Sequence, residues 1–345
     1  TCMIVLSAEI FSKLLVMMVI ALTGFIFAKI CKVSEREEKF LSKLLLYFIN
    51  PCLIFNSFNV EFDKTQFYGL LFSAGLSFLV TFTMIFIAEI VFHRKTPFSQ
   101  IQKIGTVFTN CGFIGIPLIM AIYGSSGVFY LMGYIVAFNI LLWTYGYYQV
   151  ARKINFKKII INPNIIAVLA GILIFVSPVK LPEIISYPVS LIGGLNTATA
   201  MILLGILFGN LKKEWIEKFF KTIRSFFTRD AIYASGRKKV CAILFTTFVR
   251  LILCGLCSLG ICVLVIMTIK KISPGFDYDT LVLICSVVLI ASLCPSGISV
   301  SSLACLFDKD TVFSNFLVCF THVICVFTIP LIFALFDSIL LFFSL

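Results

Sequence analysis

The sequence predicts an all-α membrane protein of about ten transmembrane helices. Hydrophobic residues make up 60% of the 345 residues and charged residues only 13%, whereas soluble domains carry about 45–50% apolar and about 25% charged residues. The apolar residues fall into ten runs, each close to the roughly 20 residues that span a bilayer. A soluble core of this length could not bury so much Phe, Leu and Ile, whereas lipid accommodates them.

The ten runs are numbered spans 1 to 10, and the loops between them are too short to hold a separate soluble domain. Several spans contain Gly, Pro or Asn, so they are weaker membrane anchors than uninterrupted apolar helices. The spans lie near residues 9–30, 40–58, 67–92, 101–123, 127–150, 163–179, 185–208, 241–268, 279–304 and 312–336.

Basic residues mark one side of the membrane. Alternate loops hold most of the 28 Lys and Arg residues, and the positive-inside rule makes that side cytoplasmic. Both termini then face outward, and we expect a multi-pass protein of the plasma (inner) membrane, surrounded by lipid. The net charge of +12 is explained by these loops, so no nucleic-acid partner is expected.

The chain divides into two halves of five spans each. Residues 1–150 form the first repeat, 151–162 a short cytoplasmic linker, and 163–345 the second repeat. An odd number of spans per half makes the second half enter the membrane with opposite polarity, as in inverted-repeat transporters. Within the second half, aromatic and basic residues alternate at helical spacing over 209–240, which predicts a cytoplasmic amphipathic insert on the inner membrane surface.

Spans 4 and 9 occupy corresponding places in the two halves, and both contain helix-breaking residues. Span 4 carries the run Asn110–Pro117 and span 9 the run Cys294–Ser299. Pro removes a backbone donor, and the backbone groups released inside a membrane must face protein or a wet cavity. Ordinary kinks are the alternative, but two breaks in register favour a binding site.

A broken helix presents a half-helix N-terminus near the membrane centre. That end carries unpaired N–H groups and about half a positive charge, which suits a carboxylate or a similar anion. Neither break contains an acidic residue, so the pattern does not indicate a site for an organic cation. We therefore expect a secondary transporter for a small organic anion.

At these residues the sequence resembles the auxin efflux carrier family, which includes bacterial malate-permease-like proteins. The run Asn110–Leu118 is the most specific match, and the resemblance covers nearly the whole chain. Weaker matches follow the family order at Asn50-Pro51, Tyr123-Gly124, Phe138-Asn139, Trp143, Asn162-Pro163, Leu204-Gly205, Pro295-Ser296 and Pro330-Leu331.

The resemblance implies an elevator carrier that is a homodimer, with spans 1, 2, 6 and 7 as scaffold. Spans 3–5 and 8–10 would form the moving domain, with the broken spans 4 and 9 crossing at the substrate. By the same resemblance Asn110 hydrogen-bonds the substrate carboxylate and Pro295 makes the crossover. The substrate-binding set is Thr109, Asn110, Gly112, Pro117, Asn139, Thr144, Pro295, Ser296 and Gly297.

Two departures from the family pattern bear on the substrate. Thr109 stands where the plant carriers have Pro, and Ala200 stands where span 7 often has Pro. The linker 151–162 is also short compared with the regulated loop of plant carriers. These differences favour malate or another small carboxylate over auxin itself as the substrate. An auxin-like acid is still among the expected substrates.

Few ionisable residues lie inside the spans, which bears on ion coupling. An anion leaving a negative interior moves downhill by about 2.3 kcal/mol per 100 mV, so export needs no coupling, whereas uptake would need H⁺ or Na⁺. His322 is either a hydrogen-bonded core residue or a proton relay. Arg250 either snorkels to the inner surface or neutralises substrate, and its length favours snorkelling. Glu89 is expected at the cytoplasmic interface.

Two features of the sequence are compatible with functions other than transport. Gly124–Gly127 matches the GxSG pattern of intramembrane serine proteases, with Ser126 as nucleophile and His322 as partner, but a tight outer turn explains the same residues. An anion channel or a transporter-like receptor could share the fold. We expect no enzyme, no cofactor and no metal, because the sequence holds only two His and no metal-binding motif.

Overall fold

The structure is a computed structural model that describes residues 2–94, 96–152, 161–177, 181–211, 214, 217, 221, 234–272 and 277–343. Most of the predicted linker at 151–162 and of the predicted amphipathic insert at 209–240 lies outside the described residues. Over the described ranges the chain is helical, and its only β feature is one isolated bridge. The predicted all-α fold class is confirmed.

Long apolar helices account for the membrane spans. Seven helical stretches among the described residues are long and apolar enough to cross a membrane, and the shorter helices Pro163–Val176 and Tyr278–Leu293 are also apolar. The helices are Cys2–Cys31, Glu35–Leu44, Asn50–Ser57, Lys64–Val91, Ser99–Val107, Ile116–Leu141, Tyr147–Ala151, Pro163–Val176, Glu183–Gly194, Asn196–Gly209, Ala234–Phe248, Cys254–Ile272, Tyr278–Leu293, Ile298–Leu306 and Thr311–Phe342.

Several spans are built from two helices joined by a wider π-helical turn. Such turns occur at Leu45–Ile49, Cys111–Gly115, Leu142–Gly146 and Val249–Leu253. Spans 4 and 5 are part of one apparent stretch, Cys111–Ala151, but they are separate helices that meet at Gly124. The φ of Gly124 is 63°, a left-handed conformation that glycine adopts readily.

The spans pack as two groups. Span 1 packs along Asn196–Gly209 of span 7, and span 2 packs on spans 6 and 7. Spans 3, 5, 8, 9 and 10 pack on one another in a second group that also holds span 4. The groups touch where span 1 packs on span 10, and where Asn196–Gly209 packs on Cys111–Gly115.

The contact between spans 1 and 7 is the closest helix packing in the first group. A methyl group on Gly205 would overlap the carbonyl oxygen of Ala21, and one on Gly24 would overlap the carbonyl oxygen of Ile202. The two backbones therefore touch directly, which small residues permit in membrane helices.

Large apolar side chains cover much of the outside of the molecule. Phe82, Leu173 and Phe327 are more than half exposed, whereas soluble proteins rarely expose broad apolar surface. Some of the buried polar residues lie at helix interruptions, and two more lie on span 10. They are Asn50, Thr109, Asn110, Asn196, Arg250, Ser296, Thr321 and His322. The interruptions in spans 4 and 9 therefore place polar groups inside a largely apolar molecule.

Candidate functional site

Spans 4 and 9 are both interrupted, as the sequence predicts. Span 4 consists of half-helix 4a, Ser99–Val107, and half-helix 4b, which starts at Cys111 and ends at the Gly124 kink. Span 9 consists of half-helix 9a, Tyr278–Leu293, and half-helix 9b, Ile298–Leu306. The two connecting segments, 108–110 and 294–297, are called the crossover.

Backbone hydrogen bonds join the two segments of the crossover. The Asn110 N–H donates to the carbonyl oxygen of Pro295 (2.7 Å), and the Gly297 N–H donates to that of Phe108 (2.8 Å). The segments thus pair as a short antiparallel bridge. Each break supplies partners for backbone groups that the other break releases, which an apolar medium requires.

Side chains of the crossover hold the pairing in place. Thr109 and Ser296 face each other in the bridge and are at most 1% exposed. The Ser296 hydroxyl donates to the carbonyl oxygen of Gly105 (2.7 Å), and its N–H donates to the Thr321 hydroxyl on span 10 (3.2 Å). A methyl group on Gly297 would lie 2.8 Å from the Thr109 carbonyl oxygen, so only glycine fits there without a shift.

Arg250, on span 8, binds the C-terminal end of half-helix 9a. Its Nη2 donates to the carbonyl oxygens of Ser292 and Cys294 (both 2.5 Å), and its Nη1 lies 3.6 Å from the Met84 sulfur. The side chain is 1% exposed, so the prediction that it snorkels to the inner surface is wrong. Carbonyl groups at a helix end carry partial negative charge and stabilise the guanidinium inside the protein.

Asn110 is hydrogen-bonded to the buried histidine of span 10. Its Nδ2 lies 2.7 Å from His322 Nε2, and His322 Nδ1 lies 2.7 Å from the Val318 carbonyl oxygen. Because a carbonyl only accepts, Nδ1 carries the hydrogen and Nε2 accepts from the Asn110 amide. Both ring nitrogens have partners in the neutral form, which is the arrangement of a hydrogen-bonded core histidine.

Half-helix 4b directs its N-terminal end at the crossover. The N–H groups of Ile114 and Gly115 donate to the Asn110 carbonyl oxygen (3.0 and 3.4 Å). The N–H groups of residues 111–113 belong to the first turn of the helix, where N–H groups have no carbonyl partner within their own helix. Gly112 is partly exposed, so this positive helix end is open at one position.

The remaining predicted site residues lie on 4b and span 5. Pro117 is buried in the first turn of Ile116–Leu141. The Asn139 amide donates to the Ile135 carbonyl oxygen (2.8 Å) and its Oδ1 accepts from Asn162 (3.3 Å). The Thr144 hydroxyl donates within its own helix. The structure brings together Thr109, Asn110, Pro295, Ser296 and Gly297, whereas Asn139 and Thr144 bond elsewhere.

For four residues near the crossover, the sequence did not predict the role that the structure shows. Arg250 is a lone charge in an apolar run. Such a residue indicates a functional role inside the protein, but the sequence does not identify its hydrogen-bond partner. Thr321 precedes His322 and forms a polar pair in span 10. Asn50 and Asn196 are buried on spans 2 and 7. The sequence indicates only that Asn50-Pro51 matches the family pattern, and it predicts no role for Asn196.

A second polar cluster surrounds Glu89, where spans 3, 4 and 5 come together. The Glu89 carboxylate accepts hydrogen bonds from Lys103, the Tyr145 hydroxyl and the Gln149 amide. These residues line a cleft of about 430 Å³ that also includes Arg152. The cluster ties three helices of the second group together.

The structure weighs against a Ser–His dyad. Ser126 is exposed beside the Gly124 kink, whereas His322 is fully buried and hydrogen-bonded to Asn110 and Val318. A nucleophile and its base must lie within hydrogen-bond reach. The geometry therefore agrees with the tight-turn interpretation of Gly124–Gly127.

An apolar bundle of many helices with two interrupted helices crossing at its centre defines the class of integral membrane transport proteins. Within that class, the chain matches the family model described as "Membrane transport protein" over residues 9–155 and 149–333. The chain belongs to this family, the auxin efflux carriers, so the resemblance is confirmed at family level. No curated protein is significantly similar to the chain.

Proposed function

We propose that the protein is a secondary transporter that moves a small organic anion, such as malate, another carboxylate or an auxin-like acid. The observation that carries the proposal is the crossover, where half-helix 4b directs its N-terminal end beside Asn110. Such an end attracts negative charge. The substrate carboxylate would bind there, and Asn110 would hydrogen-bond it.

Arg250 strengthens the preference for anions. Its hydrogen bonds go to carbonyl oxygens and a sulfur, so no carboxylate among the described residues neutralises it. A buried charge without a counter-ion creates a strong local field. The crossover is therefore positive overall, and a negatively charged solute lowers its free energy.

The two packing groups support an elevator mechanism. Spans 1, 2, 6 and 7 would be the scaffold of a homodimer, and spans 3–5 and 8–10 would carry the crossover across the membrane. With both termini outside a plasma (inner) membrane, the potential drives anion export. His322 has hydrogen-bond partners on both nitrogens, which favours transport without obligatory H⁺ or Na⁺ coupling.

The test is counterflow of radiolabelled malate and related carboxylates in proteoliposomes. We expect saturable flux, which distinguishes a carrier from an anion channel and from a receptor that moves nothing. Asn110→Ala should lower flux by about tenfold or more, because a hydrogen bond to a charged group is worth about 1.5–3 kcal/mol. Asn59→Ala, in an exposed loop, is the matched control and should transport normally.

Two results would contradict the proposal. One is wild-type flux in Asn110→Ala for every carboxylate tested, with the protein monodisperse in detergent. The other is the absence of flux for all carboxylates in the wild type, with organic cations moving instead.

A further inference from the structure

Two buried carboxamides belong to the first packing group, at the part of it that adjoins half-helix 4b. Asn50, on span 2, is 3% exposed and Asn196, on span 7, is 1% exposed. The Oδ1 of Asn50 and both polar atoms of the Asn196 amide have no hydrogen-bond partner among the described residues. Buried polar groups almost always have partners, so these unpaired atoms point to a ligand.

The packing of spans 2 and 7 places both amides in one region. A methyl group on Gly193 would lie 2.9 Å from the Leu53 Cα, so the two backbones nearly touch there. Asn196 lies one helical turn after Gly193, and Asn50 lies one turn before Leu53. Both amides are therefore within about one turn of the same close contact.

The same region faces the open end of half-helix 4b. Asn196 begins the helix Asn196–Gly209, which packs on Cys111–Gly115. The Asn50 Nδ2 lies 3.8 Å from the position that a methyl group on Gly112 would occupy. Because glycine leaves that position empty, the Asn50 amide and the first turn of 4b face each other across a small gap.

Leaving such amides unpaired is costly, and the membrane increases the cost. An unpaired buried donor or acceptor loses the hydrogen bond that water would supply, and the bilayer core holds no water to replace it. Leucine would fill either position without this penalty. The two asparagines are therefore explained by a polar group that enters the gap.

We propose that Asn50 and Asn196 bind the second polar group of the transported anion. The inference rests on the proposed function and defines the substrate class more narrowly. One carboxylate binds at Asn110 and the N-terminus of 4b, and the amides bind a hydroxyl or a second carboxylate at the far end. The substrates are then small dicarboxylates and hydroxy-carboxylates, not acids with an apolar tail.

The chemistry of the carboxamide fits both kinds of far end. Its NH₂ donates to a carboxylate, and its carbonyl oxygen accepts from a hydroxyl. An apolar tail satisfies neither atom and leaves the Asn50 carbonyl oxygen and the Asn196 amide buried and unpaired. A site built to hydrogen-bond a polar substrate group rejects analogues without that group far more strongly than an apolar pocket rejects an added methylene.

The first experiment uses the wild-type protein alone. Counterflow of labelled malate is challenged with unlabelled succinate and with unlabelled butyrate, which has the same chain length but an apolar end. We expect succinate to compete at least about tenfold better than butyrate, because butyrate leaves the amides without partners. Equal competition by the two acids overturns the inference and leaves the proposed function intact.

The second experiment reverses the preference. Asn196→Leu and Asn50→Leu should each lower malate flux about tenfold or more while retaining or improving butyrate flux, since the cost of unpaired amides disappears. Asn59→Leu, on an exposed loop, is the matched control and should keep the wild-type ratio.

The variants separate the two proposals. An unchanged succinate-to-butyrate ratio in both folded variants overturns the assignment of the amides, even though carboxylate transport persists. If the wild type moves no carboxylate at all, the proposed function fails and this inference fails with it. Where a leucine variant does not fold, the wild-type competition assay alone decides the inference.

Discussion

The two helix breaks differ in how their polar groups are used. In span 9 the protein bonds both Ser296 polar groups and the Gly297 N–H, and Arg250 binds the carbonyls that end half-helix 9a. In span 4 the helix resumes as a wide π turn at Cys111–Gly115, with Gly112 partly exposed. The comparison indicates that the span 9 break anchors the crossover, while the span 4 break leaves the open helix end at which we propose that the ligand binds.

Replacing Arg250, which anchors the span 9 break, should lower the free energy of unfolding more than any other change considered below. Arg250→Met keeps a long apolar side chain but leaves the Ser292 and Cys294 carbonyls without their charged donor. We expect the free energy of unfolding to fall by about 3–6 kcal/mol, since each hydrogen bond to a charged group is worth about 1.5–3 kcal/mol. Thermal unfolding in detergent measures the change.

Arg36→Met is the control for that measurement, because Arg36 is exposed and its loss should shift stability little. Wild-type thermal stability in Arg250→Met would show that the span 9 break does not depend on the guanidinium. The proposed difference between the breaks would then be wrong.

A smaller loss of stability is expected when the pairing itself is strained. In Gly297→Ala the added methyl group meets the Thr109 carbonyl oxygen at 2.8 Å, and backbone atoms cannot move aside easily. Such overpacking costs about 1–3 kcal/mol. Unfolding temperature and flux should therefore fall together.

Gly260→Ala is the matched control, since nothing lies within 4 Å of a methyl group at Gly260. If Gly297→Ala were as stable and active as Gly260→Ala, the crossover would be looser than the hydrogen bonds between its segments indicate.

The smallest effect on stability is expected at the corresponding glycine of span 4. In Gly112→Ala the methyl group would approach Asn50 Nδ2 at 3.8 Å, an ordinary contact, so stability should stay within about 0.5 kcal/mol. Flux should still fall several-fold, because the methyl group would fill the gap in which we propose that the ligand binds. Paired measurements of unfolding and flux check this prediction, and a large loss of stability with normal flux would contradict it.

Local sequence patterns predicted much of the fold and part of the site. Apolar runs of membrane length gave the spans, and Pro295 with the glycines of span 4 marked both breaks, because these residues act on their own turn of helix. The pairing of Asn110 with Pro295 joins distant parts of the chain, and no local preference encodes it. That the breaks would cross came instead from the family resemblance.

Arg250 shows why the rest was harder. Snorkelling and capping both suit a long cationic side chain in an apolar helix, and the choice depends on depth and on which carbonyls lie nearby. Asn50 and Asn196 raise the same difficulty, since Asn50 sits in an apolar run and Asn196 is followed by Thr197 and Thr199 in an otherwise apolar span. The role of these two residues depends on half-helix 4b, which is distant in the sequence.

The close backbone contact between span 1 and span 7, at Gly24 and Gly205, has a practical use. Only a hydrogen atom fits between each glycine and the opposing carbonyl oxygen, so the two helices cannot slip past each other by one residue. The pair is therefore a fixed reference for distance measurements. Under the proposed elevator mechanism, the distance between a spectroscopic label on this pair and one on half-helix 4b should change whenever the crossover moves, so that distance would report the steps of a turnover cycle.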